Sequence, residues 1–337
     1  VPVTLMPTRP IVIAHRGASG YLPEHTLAAK ALAHAMGAGF LEQDVVLSRD
    51  GIPVVLHDIH LDSTTNVAQR FATRARADGH FYAIDFSLEE IRQLQVHERS
   101  CLDASGGEVA VFPGRFPLPD RFTSDAGLFR IPTLAEEIDL IAGLDRSRNC
   151  STGLYVELKS PNWHKAQGQN LAGAVLEVLE DKGYADRPGQ VFLQCFDDKT
   201  LRHLRHDLKT ALPLIQLISE NDRGEDSEVD YDYLQTPRGL AYITSYADGI
   251  GPWLAHIFKG RNEDGTACLS QLVAQAQAQG LLVHPYTFRR DELPEGITSF
   301  SELLDIFILQ AGIDGLFTDF PDIVSDYLQQ HQDRLLV

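Results

Sequence analysis

Short runs of β-branched and apolar residues recur along the chain, each followed by a longer stretch in which apolar positions return every three or four residues. That alternation predicts βαβ units and a parallel sheet. Strands are expected at about residues 11–15, 40–46, 154–158, 191–195, 213–218, 247–250, 281–285 and 314–318, with 53–57 as an extra hairpin partner for the second. Eight parallel strands close a barrel, so the predicted fold is α/β, a TIM (β/α)8 barrel over residues 8–330. A helix is expected near Glu24 to Met36, ended by Gly37, which can take the left-handed conformation at little cost. Thr133-Leu134-Ala135-Glu136 reads as a capping box opening an amphipathic stretch.

Residues 61–130 break the rhythm. They are rich in Phe, Pro, Gly and charge and show one convincing helix, capped by Ser87 and Glu90. This segment is expected to be an inserted small subdomain that follows the second strand and its hairpin and lies over the barrel mouth. Its aromatics, Phe81, Tyr82, Phe86, Phe112, Phe116 and Phe122, are expected to pack a satellite core.

The chain has 337 residues, 44% of them apolar, enough for one barrel of roughly 250 residues plus insertions. A net charge of −18, from 29 basic and 47 acidic side chains, opposes nucleic acid and anionic membranes as partners. No apolar run approaches the roughly 18 residues that cross a bilayer, so no stable membrane insertion is expected. Cys101, Cys150, Cys195 and Cys268 lack the spacing of zinc or redox motifs. Cys195, inside an apolar run, reads as buried and inert, while Cys101 and Cys150 could pair. The start at Val1 suits a trimmed or processed, secreted chain.

Candidate chemistry lies at strand ends, where barrels of this kind assemble active sites. Ile11-Val12-Ile13-Ala14 runs into His15-Arg16-Gly17, and Val54-Val55-Leu56 into His57-Asp58. Glu42 with Asp44, and Glu157 with Lys159, are two apart on strands and so share a face. Three acids, Glu42, Asp44 and Glu157, cannot all stay ionised in a confined site without a cation. Oxygen ligands favour a hard divalent ion, Mg²⁺ or Ca²⁺. Arg16 offers a planar fork for phosphate oxygens and Lys159 a point charge. His15 and His57 would stand as base and acid for an in-line displacement at phosphorus. The remaining histidines, His80, His97 and His164 among them, read as packed or solvated, with His25 undecided. Phe196, Trp253 and Phe317 near strand ends are weaker candidates for packing on a substrate's carbons; His284 and Asp319 are weaker candidates for orienting a ligand.

The strings His15-Arg16-Gly17-Ala18, Pro23-Glu24-His25-Thr26, Leu41-Glu42-Gln43-Asp44, Val55-Leu56-His57-Asp58, Val156-Glu157-Leu158-Lys159 and Phe317-Thr318-Asp319-Phe320-Pro321 together resemble glycerophosphodiester phosphodiesterases, most of all the bacterial periplasmic branch. Tyr82-Ala83-Ile84-Asp85-Phe86, Pro113-Gly114-Arg115-Phe116-Pro117, Leu193-Gln194-Cys195-Phe196-Asp197, Ala247-Asp248-Gly249-Ile250-Gly251-Pro252 and His284-Pro285-Tyr286-Thr287 extend the similarity over nearly the whole chain. The resemblance implies one divalent cation, calcium in this branch and magnesium in some relatives, held by Glu42, Asp44 and Glu157. It also implies His15 and His57 as catalytic histidines and Arg16 and Lys159 as phosphate contacts. His25 stands where asparagine is commoner in the wider family. The implied reaction hydrolyses glycerophosphodiesters such as glycerophosphocholine and glycerophosphoethanolamine to sn-glycerol 3-phosphate and an alcohol, through a cyclic phosphate. A periplasmic or secreted location and a homodimer are further implications. Two alternatives stay open: a phospholipase D- or C-like enzyme acting on lipids, and a non-catalytic binding protein on the same barrel.

Overall fold

The structure, a computed structural model, describes residues 9–102, 104, 108–112 and 127–335. Phe116, Phe122 and the 113–117 string lie outside the described residues. Eight parallel strands follow the order β12 (Leu282–Val283), β9 (Gly249–Pro252), β8 (Leu214–Ile218), β7 (Val191–Cys195), β6 (Gly153–Leu158), β2 (Phe40–Leu47), β1 (Ile11–Ala14) and β13 (Gly315–Thr318). Between the end strands the ring is drawn shut by Asp314 N donating to Val283 O and Phe317 N to Pro285 O, both at 3.1 Å. The result is the TIM barrel that the alternation predicts. β3 (Pro53–Val55) pairs antiparallel with β2, the expected hairpin.

Strand boundaries shift where local chemistry intervenes. The strand expected at 247–250 is β9, starting at Gly249, because Ala247 N still closes a helical turn on Ile243 O at 2.8 Å. β12 is two residues long and is followed by His284 and then Pro285, which has no N–H to continue a ladder. The first helix begins at Leu27, not Glu24, with Thr26 as its cap: His25 has φ +59°, which no helix admits. Both predicted capping boxes form, opening the helices Leu88–Ile91 and Leu134–Arg148.

The barrel interior is sealed by Ile13, Tyr155, Phe192, Ile215 and Phe317. A larger apolar layer between strands and helices includes Leu41, Val45, Val156, Leu193 and Leu316. The described part of 61–130 has a separate core in which Phe81, Phe86, Ile91, Leu94 and Phe129 pack on Val46, Val54 and Leu56 of the hairpin. It also carries a two-stranded ladder, β4 (Ser100–Leu102) with β5 (Glu108–Ala110). A second ladder, β10 (Phe258–Arg261) with β11 (Ala267–Leu269), follows β9. All four cysteines are free: Cys101 lies in β4, whereas Cys150 lies against His34 and Asp145 next to the start of β6, so the two do not pair.

Candidate active site

Parallel register brings the strand-end residues level with one another. Asp44 of β2 is the Cα partner of Glu157 of β6, and Ala14, which leads into His15, is the partner of Leu41. Past β1 the chain turns sharply, with Arg16 at φ +58° and Gly17 at φ +85°. A Cβ on Gly17 would sit 2.8 Å from the backbone of Ala29, so a side chain is excluded there. The left-handed turn aims the Arg16 N–H at Glu42 Oε2, 2.6 Å away. Strain of this kind is typical of sites that hold ligands.

His15, Arg16, Glu42, Asp44, His57, Glu157 and Lys159 line one cavity of about 1020 Å³ at the C-terminal mouth of the barrel. Phe196, Trp253 and Phe317 line it too. His284 does not: it is 1% exposed, inside the barrel, with its Nδ1 2.9 Å from the Tyr155 hydroxyl oxygen. The structure therefore puts it beneath the cavity rather than against a ligand.

Each strand-end histidine is held by a carboxylate. His15 Nδ1 lies 2.6 Å from Asp319 Oδ1, and Arg289 Nε donates to the other oxygen of Asp319 at 2.8 Å. His57 Nδ1 lies 2.6 Å from Asp58 Oδ1; Asp58 Oδ2 accepts from Ser63 Oγ at 2.6 Å and Arg99 Nη1 at 2.7 Å. A carboxylate on Nδ1 favours the tautomer protonated there and leaves Nε2 as the nitrogen available to a substrate. Burial lowers the pKa of His15, helped by Arg16 and opposed by Asp319. Burial also lowers that of His57, to about 4, helped by Arg16 and Lys159 and opposed by Asp44 and Asp58. Both shifts favour the neutral imidazole.

The acids behave as a crowded set. Glu42 is pushed well above the ordinary carboxylate range by burial and by the charges of Asp44 and Glu157. Glu157 is pushed to about 8 by burial first, with Asp44 adding to it and Lys159 opposing. Asp44, though buried, is held low by Lys159, His57 and His25. Asp44 Oδ1 is buried with no hydrogen-bond partner, and Lys159 Nζ reaches no closer to it than 3.9 Å. Repelling buried carboxylates with an orphaned oxygen are a donor set that fits a hard divalent cation. Ligand atoms of Glu42, Asp44 and His25 lie within 4.8 Å of one another, while Glu157 Oε1 is taken by Lys159 Nζ at 2.8 Å.

Several residues here carry no role in a reading of the sequence. His25 Nε2 is 2.7 Å from Asp44 Oδ2. Glu24 accepts from Arg16 Nη1 through both oxygens, at 3.0 and 3.1 Å, and from Arg99. Burial would raise the Glu24 pKa, but Arg16 and Arg99 hold it well below the usual range. Glu24, His25 and Asp58 lie within the strings that carry the family resemblance, so membership in those strings was a usable signal. Arg99 and Arg289 offered none, since only the folded chain brings them to the site.

The fold and its ionisable mouth are those of a TIM-barrel enzyme, and comparison with known proteins gives the class. Residues 15–323 match the profile of the glycerophosphoryl diester phosphodiesterase family. The glycerophosphodiester phosphodiesterase of Haemophilus influenzae is 39% identical, over 97% of this chain and 92% of that one. The Treponema pallidum enzyme of the same name is 36% identical over 94% and 91%. A crystal structure from Silicibacter pomeroyi, provisionally assigned as a glycerophosphoryl diester phosphodiesterase, superposes with TM-score 0.69 at 27% identity, covering 96% of this chain and 95% of that one. A phosphodiesterase from Oleispira antarctica, solved with the product sn-glycerol-3-phosphate, shares the fold at TM-score 0.61 and 24% identity, covering 95% and 97%. The chain belongs to the glycerophosphoryl diester phosphodiesterase family, and its activity is that of a glycerophosphodiester phosphodiesterase.

Proposed function

We propose that the protein hydrolyses sn-glycerol 3-phosphodiesters, glycerophosphocholine and glycerophosphoethanolamine among them, to sn-glycerol 3-phosphate and the free alcohol, by two-histidine catalysis that depends on a divalent cation. The observation that carries this reading is the matched pair His15–Asp319 and His57–Asp58, each at 2.6 Å, opening onto one cavity with Glu42, Asp44 and Glu157. Binding alone needs no pair of oriented imidazoles. The product seen in the Oleispira antarctica relative is consistent with the same chemistry.

Arg16 and Lys159 would bind the phosphate oxygens. Neutral His15 would take the proton of the glycerol 2-hydroxyl, whose oxygen attacks phosphorus. His57 would protonate the departing alcohol; its side chain is 30% exposed against 11% for His15, which suits the group facing the solvent-bound product. The anionic diester beside it raises its pKa toward the range an acid needs. Water then opens the cyclic phosphate with the roles reversed. Glu42, Asp44 and Glu157 would hold the cation, Ca²⁺ in preference to Mg²⁺, which when bound neutralises phosphate charge and acidifies the hydroxyl.

The test is glycerol 3-phosphate release from glycerophosphocholine by metal-stripped protein, alone, with Ca²⁺ and with Mg²⁺, beside His15→Ala. Release that returns with metal and is lost in the variant supports the reading. No release with either ion, or equal release by the variant, overturns it and turns attention to lipid diesters.

A further inference from the structure

Away from the catalytic mouth, the segment leaving Asp58 pairs antiparallel with residues 81–83. Leu61 N donates to Phe81 O at 2.8 Å and Ala83 N to Ile59 O at 2.9 Å, with His60 opposite Tyr82. This register puts Asp62 opposite His80, and residues two apart share a face. His60, Asp62 and His80 therefore gather on one side of the pair. Their ligand atoms all lie within 4.8 Å of one another.

As they stand the two imidazoles stack, with centroids 4.4 Å apart and planes 17° from parallel, so one ion cannot lie in the plane of both rings and His80 must turn to meet it; Tyr82 meets His60 edge-on at 4.8 Å. Burial and His80 lower the His60 pKa, keeping that ring neutral, while Asp58, Asp62 and Asp78 supply negative charge around it. Asp62 Oδ2 is steadied by the Phe81 N–H at 3.2 Å and lies 3.7 Å from His80 Nδ1. His80 is half-exposed, so rotation about its side-chain bonds can bring it to the roughly 2.0–2.1 Å of a zinc–imidazole bond.

We propose that His60, Asp62 and His80 form a second metal site, selective for a borderline divalent ion such as Zn²⁺, with water completing the tetrahedron. Two imidazoles and one carboxylate separate it in ligand chemistry from the acid cluster at the barrel mouth. Its ion would clip the insertion, through the residues around Tyr82, to the stretch that carries His57 and Asp58. Tyr82 in turn stacks on Trp163 of the barrel, with centroids 5.2 Å apart.

The test counts Zn²⁺ bound to metal-stripped full chain in excess Mg²⁺, by competition with a chromophoric chelator, for the parent, His80→Gln and Asp62→Asn, and again for each in a Glu42→Gln background. The expected result is a loss of one equivalent in His80→Gln and in Asp62→Asn in both backgrounds, with a zinc-induced rise in Tm that His80→Gln abolishes. Equal zinc binding by the parent and both variants, or none by the parent, overturns the proposal. Zinc counting does not depend on turnover, so failure of the phosphodiesterase reading would be seen separately.

Discussion

Arg99, directly before β4, grips Glu24 of the first barrel loop through two parallel bonds, Nη2 to Oε1 at 2.7 Å and Nε to Oε2 at 2.9 Å. The same guanidinium holds Asp58, and Glu24 holds Arg16, so one cation from a distant segment ties the surroundings of His57 to those of the Arg16 turn. Bidentate pairing of this kind fixes geometry as well as charge. Arg99→Met should lower kcat by roughly 10²-fold, as expected for an orienting group removed from a near-attack arrangement, with a smaller change in KM. Arg99→Lys, keeping charge but not the fork, should recover only part. Steady-state kinetics of both variants check this; an unchanged kcat in Arg99→Met would show the pair to be structural only.

Asp319 should matter through His15. Asp319→Asn removes the charge that favours the Nδ1-protonated ring and allows the amide to select the other tautomer. Turnover should fall within the roughly 10² to 10⁴-fold span of lost acid–base function, with folding intact by circular dichroism. Retained turnover would mean that His15 needs no carboxylate behind it.

Beneath the site, fully buried Lys30 donates to Glu137 Oε2 at 2.8 Å and to the backbone carbonyl of Glu42 at 2.5 Å. Removing one partner of a buried pair strands the other charge. Lys30→Met should cost about 3–5 kcal/mol, and Lys30→Met with Glu137→Leu should regain much of it. Urea unfolding of the single and double variants measures both; a double variant no more stable than the single would rule out a stranded carboxylate as the cause.

His284 should make the fold acid-sensitive. Burial lowers its pKa from 6.5 to about 3. Between those values the unfolded chain binds the proton and the folded chain does not, so stability rises with pH there. The contribution is full above about pH 6.5 and is lost as pH falls toward 3, with a slope of up to about 1.4 kcal/mol per pH unit from this group. His284→Asn should flatten that part of the urea-midpoint profile. An unchanged slope would assign the acid sensitivity to other groups.

The alternation of apolar runs and helical stretches determined the barrel, because period-2 and period-3.6 patterns can bury their faces only as alternating strands and helices. It also placed His15, Arg16, Glu157 and Lys159 at or next to strand ends, Glu42 and Asp44 on the second strand and His57 just past its hairpin partner; parallel register and the antiparallel hairpin then carried them to one mouth. Those residues were legible because each sits within or just beyond a strand that its own neighbours specify. Tertiary structure alone decided what stands behind them. Arg99 reaches Glu24 across 75 positions, and Asp319 reaches His15 across 304. His284 was read as a strand-end candidate, yet it is buried inside the barrel against the Tyr155 hydroxyl. His80 reads from sequence as a packed or solvated histidine; antiparallel pairing sets it against Asp62 and His60. Local pattern specifies which face a residue takes and where its element stops; which charges meet across the molecule depends on long-range register, to which local pattern is blind.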